Sequence, residues 1–268
     1  YQTLENMKNT FLDFINKIPF YGSAVLCLDD PNIQSLIPRI DKRYITYGLS
    51  SLADYTARNI SIEGLKTYFN VFHQGKDLGR IRSGALGMHN VLNTLAAVAV
   101  GIELELDFEV IANSLLCFEG VQRRFEIAQN SGGIILVDDY GHHPVEIKAS
   151  LKTVKEVWPT CRLIVIFQPH RYSRTKILME EFWSAFNDAD HLFVMDIFPA
   201  GETLLDNVHA NDLVDGVRDC GHKNANYIKN QEELNKELSG LVKPGDILMT
   251  LGAGDVWELG KTFMANRF

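Results

Sequence analysis

The chain of 268 residues contains no GxxxxGK[ST] phosphate loop, and so carries no ordinary triphosphate clamp. The segments GLKTYF and LGKTFM hold Gly-Lys or Lys-Thr pieces without the leading glycine at the required spacing. Neither a GxSxG nucleophile elbow nor an HExxH zinc motif occurs, which removes two common hydrolase classes. Long apolar runs are missing too. The best candidate, VLNTLAAVAVGIEL, is broken by Asn93 and Gly101 and falls short of the roughly 20 residues that a membrane helix needs. The first residues, YQTLENMKNTFLDFI, show no basic stretch followed by an apolar block, so no leader peptide is expected. Cysteine is sparse: Cys27, Cys117, Cys161 and Cys220 lie far apart without a CxxC pair. A disulfide framework or structural zinc is therefore not expected, and a reducing cytoplasm fits. Basic charge is in deficit, with a net charge of −8. That argues against a general nucleic-acid or anionic-membrane surface but leaves room for a local basic pocket. Internal repeats and low-complexity segments are absent.

What remains is globular: 46% of residues are apolar and 22% charged, enough for one large domain or two ordinary ones. In the second half, GGIILVDDY, CRLIVIFQPH, HLFVMDIF and GDILMTLGAG read as short buried strands. Helical patterns separate them at PVEIKASLKTVKEVW, at 174–189 and at 231–241. Such alternation predicts a parallel α/β sheet, with ligands beyond the carboxyl ends of the strands. DDYGHH, QPHRYSR, DIFPAGE and GAGD then emerge on one edge. In the first half, NTFLDFINKI reads as a helix running into Pro19, and SAVLCLDDP and RYITYGL as strands. LKTYFNVFHQGKDLGRIRSGALG reads as a hairpin turning at QGKDLG, and MHNVLNTLAAVAVGI and DFEVIANSLLCF as helices. A boundary is expected within EGVQRRFE, residues 119–126.

Asp138, Asp139, His142 and His143 could ligate a metal, since carboxylate and imidazole suit zinc, manganese or iron. A strand-end aspartate capping the next helix, with the turn fixed by Gly141 and Pro144, also explains them, as does contact with a ligand that carries no metal. Arg171 and Arg174, three apart beside His170, suit phosphate or carboxylate. Cations at a helix start oppose the macrodipole, and a bound anion would relieve that conflict. Asn90 and Asn93 share one face of a first helical turn, where an amide can read an adenine edge and where Asn90 can equally serve as N-cap. Arg123 and Arg124 offer phosphate contacts or a surface pair with Glu126. LGAGD at 251–255 could cradle an anion with backbone N–H groups.

Taken in order, GMHNVLNTLAAVAVG, FEGVQRRFE, VDDYGHHPVEIKASL, IFQPHRYSRT and LMTLGAGDVWELG resemble the Mur ligase family over essentially the whole chain. DDYGHHP together with QPHRYSR is the specific part. The resemblance implies an α/β chain: a truncated central ATPase domain at 1–120, then a Rossmann-like, mostly parallel C-terminal domain at 121–268. It implies ATP-dependent amide formation in peptidoglycan precursor synthesis through an acyl phosphate. Within the family it points to UDP-N-acetylmuramate, L-alanine and ATP as partners, with neither nucleic acid nor membrane. Position by position, Asn90 and Asn93 match adenine contacts, Arg124 a phosphate contact and Asp139 a nucleotide contact. Tyr140, His142, His170, Arg171 and Arg174 match the substrate end, with His142, Arg171 and Arg174 as the catalytic group.

The family's phosphate loop, its magnesium ligands and its UDP-binding domain would lie upstream of Tyr1. No metal is therefore expected on these residues, and the chain by itself is expected to lack ligase activity. Three other readings stay open: a murein tripeptide ligase of cell-wall recycling, a non-catalytic nucleotide-binding module, and a metal-dependent hydrolase built on the Asp/His cluster.

Overall fold

Apolar strands that alternate with amphipathic helices bury both of their faces by forming a sheet between helices. The computed structural model describes residues 3–118, 120–205 and 207–267. The chain forms two compact units, one extending to residue 119 and one beginning at Gly120. Each has its own sheet, and the architecture is α/β.

The first unit contains α1 (Leu4–Ile15), β1 (Ala24–Cys27), α2 (Pro31–Leu36), β2 (Tyr44–Gly48) and β3 (Tyr55–Glu63). It continues with β4 (Lys66–His73), β5 (Lys76–Ser83), α3 (Met88–Glu103) and α4 (Phe108–Cys117). The strands lie in sequence order. β1 to β3 pair in parallel, and β3 to β5 antiparallel. The β4–β5 hairpin expected from the sequence is present, but its turn is shorter than QGKDLG. Gln74 and Gly75 alone close it, both at positive φ, as a two-residue turn matched to strand twist requires. β3 escaped the sequence reading because Arg58 and Asn59 interrupt its apolar alternation, where a bulge shifts the register between Arg58 and Ser61. Val91, Leu95, Val98 and Ala99 of α3 share one core with Tyr55, Ala57, Phe69, Val71 and Ile81 of the sheet. Each large side chain so buried contributes roughly 1.5–3 kcal/mol.

The second unit runs β6 (Glu126–Ser131), β7 (Ile134–Asp139), α5 (Pro144–Val157), β8 (Leu163–Phe167), α6 (Tyr172–Ile177) and α7 (Met179–Trp183). Then follow β9 (His191–Val194), α8 (Ala210–Asp219), β10 (Ala225–Tyr227), α9 (Gln231–Leu241), β11 (Ile247–Leu251) and α10 (Val256–Arg267). The strand order is β10-β9-β8-β11-β7-β6, parallel at every pairing except β6–β7. β11 inserts between β7 and β8, so the order reverses there, the kind of position where such sheets bind ligands. The segments after β7, β8, β9 and β11 accordingly leave from the same edge. Leu136, Ile164, Ile166, Leu248, Phe263 and Met264 fill the core beneath it.

The helix expected over 174–189 is instead two short ones. The chain turns at Leu178 (φ −104°, ψ 15°), and both Phe182 and Phe186 come to rest on Phe167, at ring-centroid distances of 5.6 and 5.0 Å. Aromatic packing outweighs helix continuity at that point. The four cysteines are free, with Cys117 and Cys220 exposed. Among the described residues, no helix is long and apolar enough to cross a membrane.

Candidate functional site

The site grows out of the end of β7. Both aspartates there are inward-facing, Asp138 3% and Asp139 4% exposed. Asp138 accepts from Arg123 Nε at 3.0 Å and from Thr250 Oγ1 at 2.7 Å. Asp139 accepts from the backbone N–H of Phe125 at 2.9 Å and of Gly141 at 2.6 Å. Burial pushes its carboxyl up to about 6 although both of those N–H groups favour the charged form. Asp139 thus shapes the 139–141 turn.

His143 caps α5, its Nδ1 accepting from Val145 N at 3.4 Å, and Pro144 takes the first helical position. Glu146 completes a capping box by accepting from the N–H of His142 at 3.0 Å and of His143 at 3.1 Å. Burial works to raise its carboxyl, but the two N–H groups and the neighbouring Arg124 prevail and hold it low. The Asp/His cluster does not fit a metal, because its donor atoms already serve Arg123, Thr250, backbone N–H groups and a helix cap. Among the described residues no group of three or more His, Cys, Asp or Glu is arranged to hold an ion.

Around this base the exposed cations gather. Arg124 stands 5.5 Å from the Tyr140 ring and 3.6 Å from Glu146. Arg123 behaves differently from its neighbour: its guanidinium is tied to Asp138 and to Gly252 O at 2.7 Å. Neither arginine pairs with Glu126 through its side chain; Glu126 accepts instead from the Arg123 backbone N–H. The LGAGD turn is likewise tied down, since Gly252 N donates to Asp139 O.

His142 meets Tyr140 edge-on at 5.4 Å and His170 at 5.7 Å. Its Nδ1 lies 3.0 Å from Tyr140 O. A carbonyl only accepts, so Nδ1 carries the proton and Nε2 presents a lone pair. Burial, then the charges of Arg174 and Arg124, lowers His142 below its ordinary value.

The next loop supplies His170, Arg171 and Arg174. Arg174 Nη1 lies 3.2 Å from His170 Nδ1 and donates to His170 O at 3.3 Å, so His170 has the opposite tautomer, with its proton on Nε2. Burial first, then Arg174, His142 and Arg171, brings His170 down to about 4. Arg171 adopts φ 72°, a conformation that costs a non-glycine residue on the order of 1–3 kcal/mol. One rim therefore carries Arg124, Arg171 and Arg174, two neutral imidazoles and the Tyr140 ring, an arrangement suited to a multiply charged anion.

Asn90 and Asn93 lie in the first unit, on the opening turns of α3. Gly87 rather than Asn90 is the N-cap. Asn90 Nδ2 donates to Leu86 O at 2.7 Å, and Asn93 Nδ2 to Asn90 Oδ1 at 3.2 Å. The sequence reading missed Glu146 and Glu202, the acids set among these cations. For Glu146 a signal existed, a glutamate three residues after the N-cap. DIFPAGE was placed on the correct edge without any single residue standing out.

Fold and site together define a two-unit α/β protein with a rim of arginines and histidines at the strand ends of its second unit. The Mur ligase middle domain model matches residues 1–101, and that of the Mur ligase glutamate ligase domain residues 123–254. The UDP-N-acetylmuramate--L-alanine ligase of Syntrophotalea carbinolica is 51% identical over 97% of this chain and 57% of its own length. The structure of UDP-N-acetylmuramate-alanine ligase MurC from Thermotoga maritima, 28% identical, superposes with a TM-score of 0.78 over 99% of this chain and 55% of that one. MurF ligase from Thermotoga maritima in complex with ADP shares the fold at 18% identity, with a TM-score of 0.75 over 99% of this chain and 59% of that one. The chain belongs to the Mur ligase family, and it spans somewhat over half the length of these relatives.

Proposed function

We propose that the chain is part of a cytoplasmic enzyme that joins L-alanine to UDP-N-acetylmuramate, with cleavage of ATP, in peptidoglycan precursor synthesis. The substrate carboxylate attacks the γ-phosphorus and ADP leaves. The amine of L-alanine then attacks the acyl carbon, and phosphate leaves as the amide forms and a proton is lost. The observation that carries the reading is the convergence of Arg124, Arg171 and Arg174 around the unprotonated His142 and His170. Charge that develops on a transferring phosphoryl group needs fixed cations of this kind.

In this reading Arg124 contacts the ATP phosphates, Arg171 and Arg174 hold the anionic end of the reacting group, and His142 positions the substrate beside Tyr140 and His170. Asn90 and Asn93 face adenine, and Asp139 contacts the nucleotide from the end of β7. Residues 1–120 serve as the latter part of the central domain and 121–268 as the C-terminal domain. The ADP complex of the MurF relative supports ATP as the nucleotide, and the name of the 51% identical relative favours L-alanine over a murein tripeptide. Magnesium is assigned to ligands outside this chain, as the family resemblance implies.

The intact gene product should release phosphate from ATP only when UDP-N-acetylmuramate and L-alanine are both present, and residues 1–268 alone should release none. Release that ignores L-alanine would overturn the reading.

A further inference from the structure

The arginine turn is held from outside by a strap that follows β9, residues 196–202. Arg171 N donates to Phe198 O at 2.8 Å, and Phe198 N donates to Pro169 O at 2.8 Å. These two bonds form an isolated parallel bridge between His170 and Phe198. The Phe198 ring lies flat against His170, with centroids 5.6 Å apart and planes at 10°. Its other neighbour is Gly254, where even a Cβ would stand 2.9 Å from the ring. The ring is thus wedged between the LGAGD turn and the imidazole.

Beyond it, Ala200 (φ 48°) and Gly201 (φ 84°) turn the chain back, and Glu202 N donates to Pro199 O at 3.0 Å. The Glu202 carboxylate then receives Ser173 N at 3.0 Å and Ser173 Oγ at 2.5 Å. These bonds and the influence of Arg171 keep it ionised, holding it below the usual carboxylate range.

Ser173 sits between Arg171 and Arg174. A carboxylate this near two arginines could simply neutralise them. Among the described residues, however, Glu202 forms no ion pair, and both of its oxygens go to Ser173. The unfavourable backbone of Arg171 persists only if its surroundings over-determine it, and the strap supplies four hydrogen bonds and one ring contact that do so.

We propose that Glu202, acting with Phe198, is a positioning residue that fixes the 170–174 turn so that Arg171 and Arg174 present their guanidiniums to one anionic reacting group. The inference rests on the anion-binding role assigned to those arginines. Glu202 itself touches no reacting atom. Its work is to keep the turn closed before substrate arrives, so that the arginines need not be ordered by the substrate.

The test uses the intact gene product with Glu202→Ala, Glu202→Gln and Ser173→Ala, read by steady-state kinetics and by the His170 ring resonance in histidine-labelled protein. The Phe198 ring, stacked on the imidazole, should displace that resonance through its ring current. In Glu202→Ala the displacement should be lost, and kcat/KM for UDP-N-acetylmuramate should fall roughly 100-fold, the scale of an ångström-sized misplacement. Glu202→Gln keeps an acceptor for the Ser173 N–H and should recover to within about tenfold of wild type. A scaffold role alone would lower the melting temperature but leave KM and the resonance of the folded fraction where they were.

An unmoved His170 resonance in Glu202→Ala overturns the inference whatever the kinetics. If wild type shows no L-alanine-dependent phosphate release, the proposed reaction fails, while the resonance still decides the positioning role. Should Glu202→Ala not fold, Ser173→Ala decides by the same two readouts.

Discussion

Two residues at the rim titrate in opposite senses. Asp139 is raised by burial from 3.8 to about 6. Its folded form therefore binds more protons than the unfolded chain between those values. The stability it contributes is full below about pH 4 and lost as pH rises through 6, a loss of about 3 kcal/mol. His170 is lowered from 6.5 to about 4, chiefly by burial and then by Arg174. The unfolded chain binds more protons there, so stability rises with pH across that window. The two trends oppose each other, and Asp139→Asn separates them. Its denaturant midpoint should climb steadily from pH 4 to 6.5, where that of the parent is flatter. The three tryptophans, Trp158, Trp183 and Trp257, all fall in the second unit, so their fluorescence reports on the unit concerned. Arg174→Ala in the intact protein should raise KM for the acidic substrate or reduce kcat by roughly 100-fold. Unchanged steady-state kinetics would remove Arg174 from the site.

At the scale of elements, the site depends on how helices begin and how closely they pack. Glu146 accepts two N–H groups at the start of α5 and stands 3.6 Å from Arg124. Glu146→Ala should lower stability by about 1–2 kcal/mol, and it should also release Arg124. A change in the melting temperature without any change in ATP affinity would confine Glu146 to capping. α8 carries Gly216 against α7, where a Cβ would stand 1.9 Å from Trp183 Nε1. Alanine would gain about 1 kcal/mol of helix propensity but would force the indole aside. The net expectation is a loss of about 1–3 kcal/mol, read as an earlier fluorescence transition with a shifted Trp183 emission. An unaltered transition would mean that α7 gives way freely. Sequence pattern could not foresee this contact, because a glycine inside an amphipathic helix carries no mark of the ring it meets.

For the molecule as a whole, ligand binding should appear as stability. ATP at 100 times its Kd should stabilise the intact protein by about 2.7 kcal/mol. Arg124→Ala should need more ATP for the same rise in melting temperature; an equal response would detach Arg124 from the phosphates. By itself, the sequence determined the α/β class, the four strands with a common outgoing edge, and the family. It did so because fully buried strands need apolar runs, and because DDYGHHP and QPHRYSR are contiguous blocks whose order survives in the chain. Only the tertiary structure decided that Asp138 and Asp139 turn inward, that Arg123 is locked while Arg124 stands open, and that a strap from β9 closes over the arginine turn. Neighbouring residues with the same chemistry look alike in a string. Burial and the direction of each Cα–Cβ bond separate them, and both are set by contacts distant in sequence, such as Arg123 with Gly252 or Ser173 with Glu202.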